Sequence, residues 1–312
     1  MASPLNPRPS RLRTRASALL ALATLASALA AQAAGVPDRV YVSNEKAHQL
    51  EVFNTRGDRL GDIEVCQRPR HMMFLPGHAQ IIVSCGDSDQ LGIVDVATGK
   101  LTATVPVGES PEIFDLSPDG KIAYVSIEDD NVLAAYDIAS RKPLFQVPTG
   151  KEPEGVLVTP DGRFAYVTSE AADAVYLIDL AQQKIAKTIK TGKRPRRLVL
   201  LAETRELWVS NELEASVSVI DTATQQVKHK IALTVAGVPA TDVTPVGLAA
   251  SPDGTSVWVA LGRANRVARV NAAYKTVTHQ VPVGRRAWGL AMHPAGKTLY
   301  VANGLSDELP LV

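Results

Sequence analysis

PEIFDLSPDGKIAYVSIEDDNVLAAYDIASRKPLFQVPTG, from Pro111 to Gly150, reads as four short strands and the turns between them. Phe114-Asp-Leu runs into Ser117-Pro-Asp-Gly120, a tight-turn sequence. Its proline presets φ, its aspartate bonds back to the backbone, and its glycine takes the positive φ. Tyr124-Val-Ser-Ile127 follows as an apolar strand, a second strand closes at Asp137, and a third ends near Gly150. The segments are rich in Val, Ile and Tyr, the composition that suits a half-buried pleated surface.

The same unit recurs along the chain. Tyr41-Val-Ser-Asn44, Ile82-Val-Ser-Cys85, Tyr166-Val-Thr-Ser169, Trp208-Val-Ser-Asn211, Trp258-Val-Ala-Leu261 and Tyr300-Val-Ala-Asn303 repeat the apolar strand, at spacings of 41, 42, 42, 42, 50 and 42 residues. The strand after it ends in Asn54, Asp95, Asp137, Asp179, Asp221 or Asn271, where an Asx side chain caps the following turn. The one long spacing comes from an insertion around Thr234–Asp242. Four strands in roughly 42 residues is the size of one propeller blade. No amphipathic helical pattern intervenes, which excludes an α/β barrel. The expected fold is all-β: a β-propeller of the seven-blade type, with four-stranded antiparallel blades.

The register bears on both ends. The N-terminal unit starts at its second strand, Val40–Asn44, with no innermost strand before it. After the last apolar strand the chain reads Asp307-Glu-Leu-Pro-Leu-Val312, with a proline that a strand interior rejects. The last blade is therefore expected to be incomplete, as in a truncated chain, with an open ring and an exposed sheet edge on the N-terminal blade. The alternative is a closed six-blade ring in which Gly289–Met292 pairs with Val40–Asn44.

Residues 1–33 read as a secretory signal peptide. Arg8, Arg11, Arg13 and Arg15 precede a run of Ala and Leu from Ala16 to Ala30, and Ala31-Gln32-Ala33 is an A-x-A cleavage pattern. The apolar run is shorter than the ~20 residues a membrane span needs. Residues 37–312 make a single propeller domain, with no membrane span after cleavage, in a periplasmic protein. Loss of Met1–Ala33 leaves 29 basic against 32 acidic residues, a net charge of −3, so nucleic acid is not an expected partner.

Several chemistries find no motif. There is no C-x-x-C-H for haem, no metal-ligand spacing among two Cys and six His, no P-loop and no G-x-S-x-G elbow. Neither a catalytic nor a metal residue is assigned. The candidate site is instead the place where the repeat stops repeating. The position that enters each innermost strand runs Arg70, Glu112, Glu154, Arg196, Val246 and Trp288, with His71 and Arg197 beside it. In a propeller such positions ring one mouth of the central channel. A mixed-charge mouth of this kind suits a small polar or anionic ligand, or a protein partner. The competing expectation is that these charges simply pair with one another. Cys66 and Cys85 fall on the same face, and in an oxidising compartment they favour a disulfide, two free thiols being the alternative.

The repeats resemble the YVTN family of bacterial β-propellers over nearly the whole chain after residue 33. Ser43-Asn-Glu45, Cys85-Gly-Asp-Ser-Asp89, Pro111-Glu-Ile-Phe114, Glu128-Asp-Asp-Asn131, Glu152-Pro-Glu-Gly155, Arg194-Pro-Arg196, Thr244-Pro-Val-Gly247, Ala260-Leu-Gly-Arg-Ala-Asn-Arg266 and Ala302-Asn-Gly304 are similar, in order, to the blade signatures of the PQQ-dependent catabolism-associated β-propeller proteins. That resemblance implies an exported accessory or binding protein of quinoprotein alcohol catabolism, with no established reaction. A quinoprotein dehydrogenase or a c-type cytochrome would be its partner, and PQQ would belong to the pathway rather than to this chain. The other reading is a propeller enzyme (a lactonase, lyase or dehydrogenase subunit) acting at the charged mouth.

Overall fold

The computed structural model describes residues 38–306 and 308–312; the expected signal peptide lies outside the described residues. The chain forms a succession of small antiparallel sheets. The first holds β1 (Arg39–Asn44), β2 (Gln49–Asn54) and β3 (Arg59–Glu64). The second holds β4 (Pro69–Phe74), β5 (Gln80–Cys85), β6 (Gln90–Asp95) and β7 (Lys100–Pro106), and the third β8 (Pro111–Leu116), β9 (Ile122–Ile127), β10 (Val132–Asp137) and β11 (Lys142–Pro148). The fourth is β12 (Pro153–Val158), β13 (Phe164–Ser169), β14 (Ala174–Asp179) and β15 (Lys184–Lys190). The fifth is β16 (Pro195–Leu201), β17 (Glu206–Asn211), β18 (Ser216–Asp221) and β19 (Gln226–Ala232). The sixth is β20 (Pro245–Ala250), β21 (Ser256–Leu261), β22 (Arg266–Asn271) and β23 (Thr276–Pro282), and β24 (Ala287–Met292) pairs with β25 (Leu299–Asn303).

Six blades are formed, not seven: five of four strands and a first blade of three. The seven-blade expectation is corrected by β24 and β25, which make a two-stranded sheet and not a distinct four-stranded blade. After β25 the chain returns only far enough for Leu299 and Val312 to exchange backbone hydrogen bonds and for Val301 N–H to reach the Pro310 carbonyl. Pro310 has no N–H to extend that ladder. The closed six-blade alternative is not formed either, since β24 pairs only with β25 and β1 only with β2.

The first strands of successive sheets lie side by side, β4 by β8, then β12, β16, β20 and β24, and so surround a channel. The local chemistry follows the repeat. Asp95, Asp137 and Asp179 each accept a turn N–H three residues on, at 2.8, 2.7 and 2.8 Å. In the Ser-Pro-Asp-Gly turn, Ser117 Oγ donates to Asp119 at 2.6 Å and Gly120 sits at φ +68°. Apolar residues of neighbouring sheets interlock, as where Ile82 and Leu91 of one blade meet Phe114, Val125 and Ala134 of the next. Among the described residues no helix is long and apolar enough to cross a membrane.

A hydroxyl relay stitches the blades near the channel. Ser84 Oγ accepts the His71 N–H of its own blade and donates to the Glu112 carbonyl of the next, at 3.1 and 2.6 Å. Ser126, Thr168 and Ser210 repeat this toward the carbonyls of Glu154, Arg196 and Val246, at 2.6, 2.9 and 2.6 Å. The corresponding residues in β21 and β25 are Ala260 and Ala302, which have no hydroxyl to give.

Candidate functional site: the channel mouth

The residue before each first strand has a left-handed backbone: Arg68, Ser110, Glu152, Arg194, Thr244 and Arg286 have φ between 39° and 58°. Its carbonyl accepts the N–H of the residue that leaves the second strand, which is Gly86, Glu128, Glu170, Glu212, Gly262 or Gly304 in turn, at 2.8–3.1 Å. Two sets of side chains thereby meet at one mouth. The structure places Arg70, His71, Glu112, Glu154, Arg196, Arg197 and Trp288 together there, around a cavity of about 1310 Å³.

The carboxylates of the first strands are engaged by arginines. Glu112 is fully buried, with Arg70 Nε at 2.5 Å and Arg68 at 2.9 Å. Glu154 meets Arg197 at 2.6 Å, Arg196 at 3.5 Å and Arg70 at 3.9 Å. Arg196 also pairs with Glu170, and Arg194 meets Glu170 at 2.6 Å and Glu212 at 3.3 Å. Glu170 and Glu212 lie outside the entering positions, so variation at those positions does not point to them. Aligning the leaving positions, Glu45, Gly86, Glu128, Glu170, Glu212, Gly262 and Gly304, exposes them as a second variable set.

Electrostatics divides the two central carboxyls. Burial raises the Glu112 carboxyl, and the neighbouring Glu154 charge pushes it further, against the pull of Arg70. Burial also opposes ionisation of Glu154, but Arg196, Arg197 and Arg70 together outweigh it and hold that carboxyl below its ordinary range. Glu170 is raised to about 7, by burial first and by the Glu154 charge, despite Arg196 and Arg194. His71 is lowered to about 3 because it is withdrawn from water and faces Arg197. It packs edge-on against Phe114, ring centroids 5.1 Å apart, and stays neutral at physiological pH.

The other side of the mouth differs. Val246 is fully buried and brings no charge. Trp288 meets two guanidinium groups, Arg196 at 5.1 Å and Arg286 at 4.7 Å from its ring centroid. Arg285 and Arg286 are exposed and have no carboxylate within 4.0 Å among the described residues. With Arg263, Asn265 and Leu305 they border a smaller pocket of about 260 Å³. Arg263 itself has only a loose contact, 3.7 Å, with the exposed Asp242.

Cys66 and Cys85 are bonded as a disulfide, Cα atoms 5.7 Å apart, tying the link before β4 to the end of β5. Among the described residues no group of three His, Cys, Asp or Glu could hold a metal ion.

A family model for YNCE-like β-propellers matches residues 100–247, from β7 into β20. The chain is a β-propeller. The fold is similar to a chain of Kuenenia stuttgartiensis hydrazine synthase, at 20% identity and a TM-score of 0.80 over 88% of this chain and 92% of that one. It is also similar to a functionally unknown protein from Desulfotomaculum acetoxidans DSM 771, at 15% identity and a TM-score of 0.73 over the same shares. At these identities the propeller's likeness is one of fold alone. A search of the curated proteins finds no match.

Proposed function

We propose that this propeller is an exported, non-catalytic binding protein whose channel mouth takes a small anionic ligand. The observation that supports it is the uneven charge of the mouth. Arg285, Arg286 and Arg263 border a cavity on an arc where the leaving positions are glycines, Gly262 and Gly304, in place of glutamates. Among the described residues Arg285 and Arg286 have no carboxylate within 4.0 Å, and guanidinium groups so placed are suited to a carboxylate or phosphate, which they grip through paired N–H donors. The signal-peptide pattern supports export to the periplasm. The blade signatures support the finer reading, an accessory component of quinoprotein-dependent alcohol catabolism with a quinoprotein dehydrogenase or c-type cytochrome as partner.

Calorimetric titration with malonate and with inorganic phosphate tests the binding reading. Saturable binding that is lost in Arg285→Ala/Arg286→Ala supports it, and no heat with any small dianion sinks it. Crosslinked pull-down from the periplasm of alcohol-grown cells tests the pathway reading. Enrichment of a quinoprotein or cytochrome by the wild type, and not by an Arg70/Glu112/Glu154/Arg196 quadruple Ala variant, is the supporting result.

One observation favours an enzyme as second reading. Glu112 and Glu154 are adjacent carboxyls whose surroundings drive their proton affinities apart, as an acid–base pair requires. Both are at most 3% exposed and already held by arginines, which leaves a substrate little to touch. Turnover of any lactone or alcohol that disappears in Glu112→Gln would favour this reading over binding.

A further inference from the structure

The link into the second blade is built unlike its counterparts. The residue two places before the left-handed position is Gly108, Gly150, Gly192 or Gly284 in four other units, and Cys66 here. A close approach calls for glycine at that place. A Cβ on Gly108, Gly150 or Gly192 would stand 2.6–2.8 Å from the side chain that ends the second strand, Ile127, Ser169 or Asn211. In the second blade that strand ends in Cys85. Cys66 brings a Cβ and a sulfur into the same crowded place, and they fit because the sulfur is bonded to that of Cys85. Both residues belong to the core between the first two blades, Cys85 fully buried and Cys66 7% exposed. On its inner side the Cys66 sulfur lies against Gly92, where an added Cβ would be 3.1 Å from it.

The bridged segment carries two of the arginines of the mouth. Arg68 and Arg70 follow Cys66, and Gly86, Asp87 and Ser88 follow Cys85. Gly86 N–H donates to the Arg68 carbonyl at 3.0 Å, Gln67 N–H to Ser88 Oγ at 2.8 Å, and Arg68 pairs with Asp87 at 3.2 Å. Toward the first blade, the Val65 and Arg68 N–H groups reach the His48 carbonyl and Nδ1, at 3.1 and 3.2 Å. From this frame Arg68 meets Glu112 at 2.9 Å and Arg70 Nε meets it at 2.5 Å. The arginines on a fully buried carboxyl are thus delivered by the loop that the disulfide closes. Two thiol sulfurs cannot remain at bonding distance, and a close-packed core does not take up the difference. The exposed side of the link, at Gln67, is where it can move.

We propose that the Cys66–Cys85 bond is a redox latch on the channel mouth. Oxidised, it holds Arg68 and Arg70 on Glu112. Reduced, it lets residues 66–70 lift from the end of β5 and leaves both guanidinium groups exposed. The reductant is a dithiol. One of its thiolates attacks the sulfur of Cys66, the less buried of the two, and the Cys85 sulfur leaves and takes a proton. The second thiol of the reductant then closes its own disulfide and releases Cys66 as a thiol, so that two electrons pass to the protein. The pairs of Glu170 with Arg194 and Arg196 lie in the fourth and fifth blades and are left as they are. This inference uses the paired arc and does not rest on the small-anion reading.

Phenylglyoxal labelling of arginines tests it on the full protein, with and without dithiothreitol, read peptide by peptide in a mass spectrometer. Free thiols are counted by alkylation in the same samples. Reduction should raise the labelling of Arg68 and Arg70 about fivefold or more. The buried Arg196 should stay protected, and the exposed Arg286 should label equally in both states. A Cys66→Gly/Cys85→Ser variant copies the Gly150–Ser169 pair of the fourth blade and restores a close contact without a bond. It should keep Arg68 and Arg70 at the oxidised level whether or not dithiothreitol is present. Equal labelling of oxidised and reduced protein, with both thiols counted, overturns the proposal. So does labelling of Arg196 together with Arg68 on reduction, since the bond would then hold the whole fold. A bond that dithiothreitol leaves intact in the folded protein overturns it in favour of a purely structural tie. Labelling of the variant at the reduced level overturns it as well, because the loop would then depend on the covalent tie and not on the room that two thiols lack.

Discussion

The two arcs of the channel mouth share a backbone and differ in almost everything else. From β4 to β16, every first strand carries a charged residue at the same ring position and meets an opposite charge from a neighbouring blade. From β20 to β24, the same position holds Val246 and Trp288, the leaving glutamates give way to Gly262 and Gly304, and the stitching hydroxyls give way to Ala260 and Ala302. The first arc consumes its charge internally; the second leaves guanidinium groups facing the cavity. A repeat protein can therefore separate the part of a ring that holds itself together from the part that is left to bind, without altering the strand that carries both.

The sharpest break in this comparison is the loss of one arginine from each arc. Arg196→Ala leaves Glu154 and Glu170 buried without their main counter-charge and should cost about 3–5 kcal/mol by chemical denaturation. Arg286→Ala removes a side chain that is exposed and stacked on Trp288, and should stay within about 1 kcal/mol. Equal losses would show that the two arcs depend on their arginines alike.

Reduction of Cys66–Cys85 comes next. The bond closes a short loop, so removing it should cost about 3 kcal/mol, read as a lower denaturation midpoint in reductant. Cys66→Ser/Cys85→Ser should match the reduced protein. The disulfide anchors the paired arc at the second blade, between the link before β4 and the end of β5, so its loss should leave Arg286 chemistry untouched.

Glycine substitution probes close packing along the same ring. Gly155→Ala pushes a methyl into the backbone of the next blade and should destabilise by about 1–3 kcal/mol. Gly289→Ala, at the equivalent place, has room and should change stability by less than about 0.5 kcal/mol. A large effect at Gly289 would mean that the space next to it is more tightly filled in solution than at the 3.5 Å approach of the Ala302 Cβ.

The smallest effect is a pH slope. The Glu112 carboxyl is raised in the fold, so the folded state binds its proton more tightly than the unfolded chain does. Its contribution is fully present below the ordinary carboxylate range and is lost as pH rises through the raised value. Glu154 behaves oppositely, its contribution being lost only in strong acid. The melting temperature should therefore fall on going from about pH 5 toward alkaline pH, and Glu112→Gln should flatten that fall while leaving the acid limb unchanged. A variant that keeps the wild-type alkaline slope would show that another group carries it.

Much of this was legible in the repeat. The strand boundaries, the Asx-capped turns and the grouping of Arg70, Glu112, Glu154 and Arg196 at one mouth follow from spacing alone. Any unit that recurs with one geometry places equivalent residues on one ring. Seven starts of the unit predict seven blades, and the fold has six. A start is not a blade, because β24 and β25 lack the outer strands that would cover them. Glu170 and Glu212 stand at leaving positions, which the repeat pattern also puts on this face; comparing the entering positions alone does not point to them.

The sequence by itself determined the all-β repeat, the positions where it varies and the pair of cysteines, because these depend on local propensity and on periodicity. Tertiary structure decided which charges cancel and which carboxyl is raised and which lowered. Those outcomes depend on distance and burial across blades. Residues some 42 or more positions apart in the chain interact there through space, and no local pattern encodes how near they come.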